Sequence, residues 1–144
     1  MLTYKIKLSA DDNGTVLVTC PALPELATFG DTEAEARQRA TAAIEVALAA
    51  RLHANQDLPL PIEMAPGPRA PDLPTLTALK VLLWHALRRA GLTRAELARR
   101  MGVHREQVDR LFRIEHASQL GQLDAAFRAA GATVTIKAEF PDAA

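Results

Sequence analysis

The residues best suited to recognising another molecule lie in GLTRAELARRMGVHREQVDRLF, residues 91–112. Arg105, Glu106, Gln107 and Arg110 fall within six positions there. Their side chains match the edges of DNA bases: arginine donates to guanine, glutamine pairs with adenine, and glutamate accepts from the cytosine amine. Arg94, His104 and Arg113 flank them and suit phosphate oxygens, which position a protein without reading sequence. Between Arg88 and Arg113 eight arginines stand against three acids, a local excess of +5. Such an excess supplies the electrostatic attraction of non-specific DNA binding. The competing reading is a four-helix domain with a solvated arginine face.

The pattern around these residues dictates how they are held. Thr93 and Glu96 have capping-box spacing and open a short helix through Met101, with Leu97 and Ala98 inward. Gly102 ends it. A second short helix begins near His104–Arg105 and buries Val108, Leu111 and Phe112. Val103, Val108 and Leu111 then clamp it on Leu97 and Ala98, which predicts a helix-turn-helix and turns Arg105, Glu106, Gln107 and Arg110 outward. Upstream, Leu79, Leu82, Leu83, Ala86, Leu87 and Ala90 trace one helical stripe closed by Gly91. Trp84 lies off that stripe, free to pack on the linker or on a partner. Downstream, a helix over residues 120–130 turns Leu120, Leu123, Phe127 and Ala130 inward and stops at Gly131, and Thr133–Phe140 alternates as a closing strand.

The N-terminal half has a different period. Tyr4, Ile6 and Leu8 alternate with polar neighbours, as do Val16, Val18 and Cys20, so both segments read as strands. A three-residue loop, Asp12-Asn13-Gly14, pairs Leu8 with Val18 and Ile6 with Cys20 and keeps one face apolar; a two-residue loop would set Leu8 beside Thr19. A short extended piece follows around Ala27–Phe29. Thr32 and Glu35 open a helix to about His53 with Ala36, Ala40, Ile44, Leu48 and Leu52 on its inner stripe. This β-β-β-α order predicts a small sheet with a helix across one face.

Six of nine prolines lie in LPLPIEMAPGPRAPDLPT, which therefore reads as a linker with a short edge strand near Leu58–Met64. The charge changes sign there. Seventeen basic and seventeen acidic residues cancel over the chain, but residues 1–72 carry net −4 and residues 73–144 net +4. The expected organisation is α+β: residues 1–58, a linker over 59–74, and a helical domain over 75–144 followed by its terminal strand. No 18-residue apolar run or signal peptide is read, and a lone cysteine, Cys20, forms no internal disulfide; a cytoplasmic protein without a membrane partner is expected.

Catalytic and metal chemistry find no foothold. Two-cation hydrolysis needs acids converging from strand ends. The first strand has none, Asp11 and Asp12 sit in a turn, Asp31 precedes a helix cap, and Glu33, Glu35 and Glu45 ride on the helix. His53, His85, His104 and His116 lack zinc-ligand spacing. No catalytic residue, metal ligand or cofactor is assigned.

Two stretches together resemble one family. PALPELATFGDTEAEARQRATAAI and LPTLTALKVLLWHALRRAGLTRAELARRMGVHREQVDRLFRIEHAS, the latter with Lys80, His116 and Ser118, are similar to the HicB antitoxins of bacterial HicA–HicB toxin–antitoxin systems. The chain departs from that family at Glu25-Leu26-Ala27, where a Gly-Cys-like pair is frequent. The resemblance implies a partial ribonuclease-H-like N-terminal domain without nuclease activity that blocks a small HicA-like mRNA ribonuclease, through contacts the sequence does not locate. It also implies a lambda-repressor-like helix-turn-helix that binds the operator of its own operon as a dimer or higher oligomer. Two other functions remain open at this level: a ligand-sensing transcription regulator with no toxin partner, and an active metal-dependent ribonuclease.

Overall fold

A computed structural model describes residues 2–64 and 71–142. In chain order the elements are β1 (Leu2–Thr3), β2 (Lys7–Ala10), β3 (Val16–Thr19), β4 (Ala27–Gly30), α1 (Glu33–His53), β5 (Ile62–Glu63), α2 (Thr75–Ala90), α3 (Arg94–Met101), α4 (Arg105–Leu111) and α5 (Leu120–Ala129). The architecture is mixed α+β, with β2, β3 and β4 in one antiparallel sheet and β1 and β5 in another. Residues 65–70 of the proline-rich stretch lie outside the described residues. No described helix is long and apolar enough to cross a membrane.

The hairpin takes the register that face parity selects. Leu8 is opposite Val18 and Ala10 opposite Val16, Asp11 N–H bonds Thr15 O at 2.8 Å, and Gly14 has φ +78°. The first strand, however, is broken. Thr3 pairs with Ile62, whereas pairing with β3 starts at Lys7. Tyr4, between the two, is 1% exposed, and its hydroxyl donates to Pro59 O at 2.7 Å. An acceptor 55 residues away thus turns the chain between two sheets. Burial also pushes the phenol pKa up.

On the sheet lies α1, with Ala36, Ala40, Ile44, Leu48 and Leu52 buried as the stripe requires. Thr32 accepts from Glu35 N–H. Glu35 reaches one residue past the usual box and accepts from Asp31 N–H at 2.8 Å. The three small residues Gly30, Ala36 and Ala40 allow a close approach. A Cβ at Gly30 would stand 2.4 Å from Ala36 N, so only glycine fits between β4 and α1 without a backbone shift.

Both ends of the proline-rich stretch are pinned. Thr3 Oγ1 donates to Pro71 O, and Leu73 N–H bonds Leu2 O at 3.1 Å. Leu58 and Leu73 are buried in a cluster that also holds Tyr4, Leu48, Val81, Leu83, Leu97, Leu111 and Leu123. Thr77 on α2 donates to Glu45 on α1, and Arg88 pairs with Asp57 at 2.8 Å. Apolar burial is therefore continuous from the sheet into the helices.

The α2 stripe is rotated from its expected position. Thr77, Ala78, Lys80, Val81, Leu83, Trp84 and Leu87 are buried, while Leu79, Leu82 and Ala86 are only half-buried and Ala90 is exposed. Trp84 lies inward, with His85 edge-on at 4.9 Å and the Arg88 guanidinium over its ring at 4.7 Å. On α5, Leu123, Ala126 and Phe127 are buried, but Leu120 is 65% exposed. The expected closing strand over Thr133–Phe140 has no strand partner among the described residues, and Ile136 and Phe140 project into solvent. Its alternation is genuine, but it forms no strand ladder among the described residues, although Leu60, just before β5, lines a cavity with Thr133, Val134 and Thr135.

Lys80 has no exposed surface. Its Nζ donates to Arg113 O and His116 O, both at 2.6 Å, to Ser118 Oγ at 2.9 Å and, more weakly, to Arg110 O at 3.3 Å. An ammonium has three protons, so the four acceptors share them. These carbonyls end α4 and the turn after it, where intrahelical donors run out. Burial pulls the lysine pKa down, yet the ring of acceptors suits the charged form. Lys80→Met should keep the packing but strand these acceptors, lowering unfolding free energy by about 3 kcal/mol in urea titration. Wild-type stability in that variant would mean that the ammonium contributes nothing.

Candidate nucleic-acid interface

The short α3 and α4 meet through a small apolar seam. Leu97 and Ala98 are the buried residues of α3, and Val108 and Leu111 those of α4. A seven-residue helix is unstable alone, and two buried side chains at about 2 kcal/mol each do not offset its ordering. Its position therefore depends on restraints at both ends. At the front, Thr93 and Glu96 form a complete capping box on α3, and Gly102 at φ +67° takes the left-handed turn into α4. Val103 N–H bonds back to Ala98 O at 3.0 Å. At the back stands Lys80.

With Val108 and Leu111 inward, Arg105, Glu106, Gln107 and Arg110 are all exposed on α4. The structure thus brings the four base-reading candidates onto one short helix surface. Gln107 has a second task. Its Oε1 accepts from His104 N–H at 3.1 Å, which fixes the amide and leaves its NH₂ as the donor to a ligand. His104 is the exposed N-cap residue.

The phosphate candidates divide. Arg113 is exposed just beyond α4, with its carbonyl held by Lys80. Arg94 instead joins the two helices: its guanidinium bonds Asp109 Oδ1 at 3.2 Å and covers the Phe112 ring at 4.8 Å. Such a cation–π contact contributes roughly 0.5–1 kcal/mol at a partly exposed site. Arg94 therefore braces α4 against α3, a role its position at the start of a capped helix did not reveal.

Two amides also escaped the sequence reading. Gln119 and Gln122, at the start of α5, share a shallow recess of about 200 Å³ with Gln107, Arg110 and His116. Their signal was an amide-rich run straight after His116 and Ser118. The recess extends the donor and acceptor surface of α4 by one element. His116 Nδ1 lies 3.2 Å from Ser118 Oγ, which holds the connecting loop.

Acids elsewhere are dispersed. Glu33 engages Arg37 and Glu35 engages Arg39, each one helical turn away, Glu45 accepts from Thr77, and Asp11 accepts from Asp12 N–H. Among the described residues no three His, Cys, Asp or Glu side chains are grouped to hold a metal ion. Cys20 is a free, buried thiol in the core.

Comparison with known proteins points to one family. Residues 3–82 match the family model described as the HicB-like antitoxin of bacterial toxin-antitoxin systems. The chain is 36% identical to Antitoxin HicB of Pseudomonas fluorescens (strain Pf0-1), over 96% of its own length and 95% of that protein's. It is 33% identical to Antitoxin HicB 1 of Photorhabdus laumondii subsp. laumondii, over 96% and 88%. With Antitoxin HicB of Escherichia coli (strain K12) it shares 30% identity over 94% and 98%. The family match ends within α2 and the full-length matches continue through α3, α4 and α5, so the protein belongs to the HicB-like antitoxin family.

Proposed function

We propose that this chain is a non-enzymatic antitoxin with two binding surfaces. Family membership supports an antitoxin role and, with it, a toxin partner in a toxin–antitoxin system. The N-terminal part, residues 1–58, is read as a partial ribonuclease-H-like domain that covers a small HicA-like mRNA ribonuclease. Its net negative charge suits a basic, RNA-binding partner. Residues 59–74 connect it to residues 75–144, read as a lambda-repressor-like helix-turn-helix domain that represses its own operon. Neither activity requires a cofactor.

One observation carries the DNA half of this reading. Arg105, Glu106, Gln107 and Arg110 form an exposed row of base-compatible side chains on a helix braced by Lys80, Arg94 and a capping box. Surfaces meant only for solubility have no need of such bracing. A helix of this length, fixed at both ends, fits the major groove. Arg105→Ala and Arg110→Ala should each cost about 1–3 kcal/mol of operator affinity and relax base preference, read by gel shift against matched and mutated duplexes. Equal losses on operator and random DNA would refute base reading by α4.

Helix-turn-helix proteins read paired half-sites, so a homodimer or higher oligomer is part of the proposal. The terminal segment Thr133–Phe140 is its seam. Val134, Ile136 and Phe140 alternate with polar residues, and each is exposed in the single chain. Pairing with a second copy would bury them and satisfy the backbone groups. Deleting residues 133–144 should lower the mass measured by light scattering; an unchanged mass would exclude this seam.

The whole proposal is tested by co-expression with the product of the neighbouring short reading frame. The neighbour should be toxic alone, harmless beside this chain and co-purified with it, and the complex or the free chain should retard the upstream DNA. A harmless neighbour that never co-purifies would refute the toxin half.

A further inference from the structure

The last turn of α1 reaches the start of α3 and α4. There Leu52, His53 and Asn55 line a cleft of about 700 Å³ together with Thr93, Arg94 and Arg105. A second recess of about 290 Å³ adjoins it, sharing Leu52, His53, Arg94 and Arg105 and adding Arg113. A helix that begins on the sheet thus ends beside two of the residues assigned to DNA.

Charge selects the ligand of this cleft. Across the two recesses four arginines, Arg88, Arg94, Arg105 and Arg113, stand against two acids, Asp109 and Glu115. Arg88 is engaged by Asp57, and Arg94 by Asp109. The side chains of His53, Arg105 and Arg113 have no such partner among the described residues. The lining is therefore cationic and hydrogen-bond donating, with Leu52 and Leu87 among its apolar members. A phosphodiester meets both conditions, since its oxygens accept from guanidinium, imidazole and amide donors. In a helix-turn-helix complex the supporting helix crosses the DNA backbone beside the groove that the second helix enters. The mouth of this cleft lies at the start of both helices.

We propose that the end of α1 and the residues just after it belong to the DNA-binding surface, with His53 and Asn55 holding a backbone phosphate beside Arg105 and Arg113. The N-terminal half then contributes directly to operator affinity. This inference rests on the DNA-binding reading of α4, and the experiment separates the two. His53 is exposed at a helix C-terminus, so Glu and Lys both fit without repacking.

The test is fluorescence anisotropy of the full chain on its upstream duplex and on a random duplex, over a range of salt. His53→Glu should weaken both duplexes by roughly tenfold and flatten the salt dependence by about one unit of slope. His53→Lys should strengthen both and steepen the slope by a similar amount. A structural role at the end of α1 would change thermal stability and leave the slope alone. If Arg105→Ala weakens operator binding while both His53 variants match the wild type, the α1 contact is overturned and the reading of α4 stands. If no duplex binds at all, both fall. Inorganic phosphate serves as a further probe. If it shifts the His53 ring resonances while duplex binding ignores His53, the cleft is a small-anion site and the proposal fails.

Discussion

A lysine ammonium without access to water fixes the helical half of this chain. Lys80 enters from α2 and gathers the carbonyls of Arg110, Arg113 and His116 with the hydroxyl of Ser118. Desolvating a cation costs several kcal/mol, and the cost is met only when every proton finds an acceptor. The arrangement is therefore strict. If α4 shifts by a fraction of a helical turn, acceptors are lost and the charge is left buried. Apolar contact alone tolerates such sliding, and the seam beneath α4 is small. The polar anchor gives the exposed row of Arg105 to Arg110 a defined rotation about the helix axis.

The same division of labour recurs in the N-terminal half. Alanines on α1 and Gly30 on β4 set the separation between helix and sheet. Polar ties set direction: Tyr4 to Pro59, Thr3 to Pro71 and Arg51 to both carboxylate oxygens of Glu25. The Glu25-Leu26-Ala27 segment follows two successive turns, Leu23 N–H to Cys20 O and Leu26 N–H to Leu23 O. Leu23 and Leu26 are buried there while Glu25 remains outside for its arginine. Short proline-rich segments thus become rigid without forming regular structure.

Local periodicity disclosed much of this architecture. The register of the hairpin, the cap at Thr32, the box at Thr93 and the turn at Gly102 all follow from residues within a few positions of one another. What the sequence hid depends on distant partners. Tyr4 looked like one more strand residue until its acceptor at Pro59 was known. Lys80 had no structural role to be read from its neighbours, because its acceptors lie 30 to 38 residues onward. Arg94 looked available for phosphate because Asp109 and Phe112 come from the next helix. Leu120 counted as apolar, and period alone could not say that α5 turns it outward. In the candidate interface the exposed row was legible from spacing, whereas its bracing and its extension to Gln119 and Gln122 were not.

The chain has four lysines, and Lys80 alone among them is sealed from solvent; Lys5, Lys7 and Lys137 are exposed. Its amine can meet an amine-reactive reagent only when α4 lifts from α2. Acylation would then remove the charge and block reclosure. One atom thereby serves as both latch and chemical clock, recording how often the contact between α2 and the end of α4 opens.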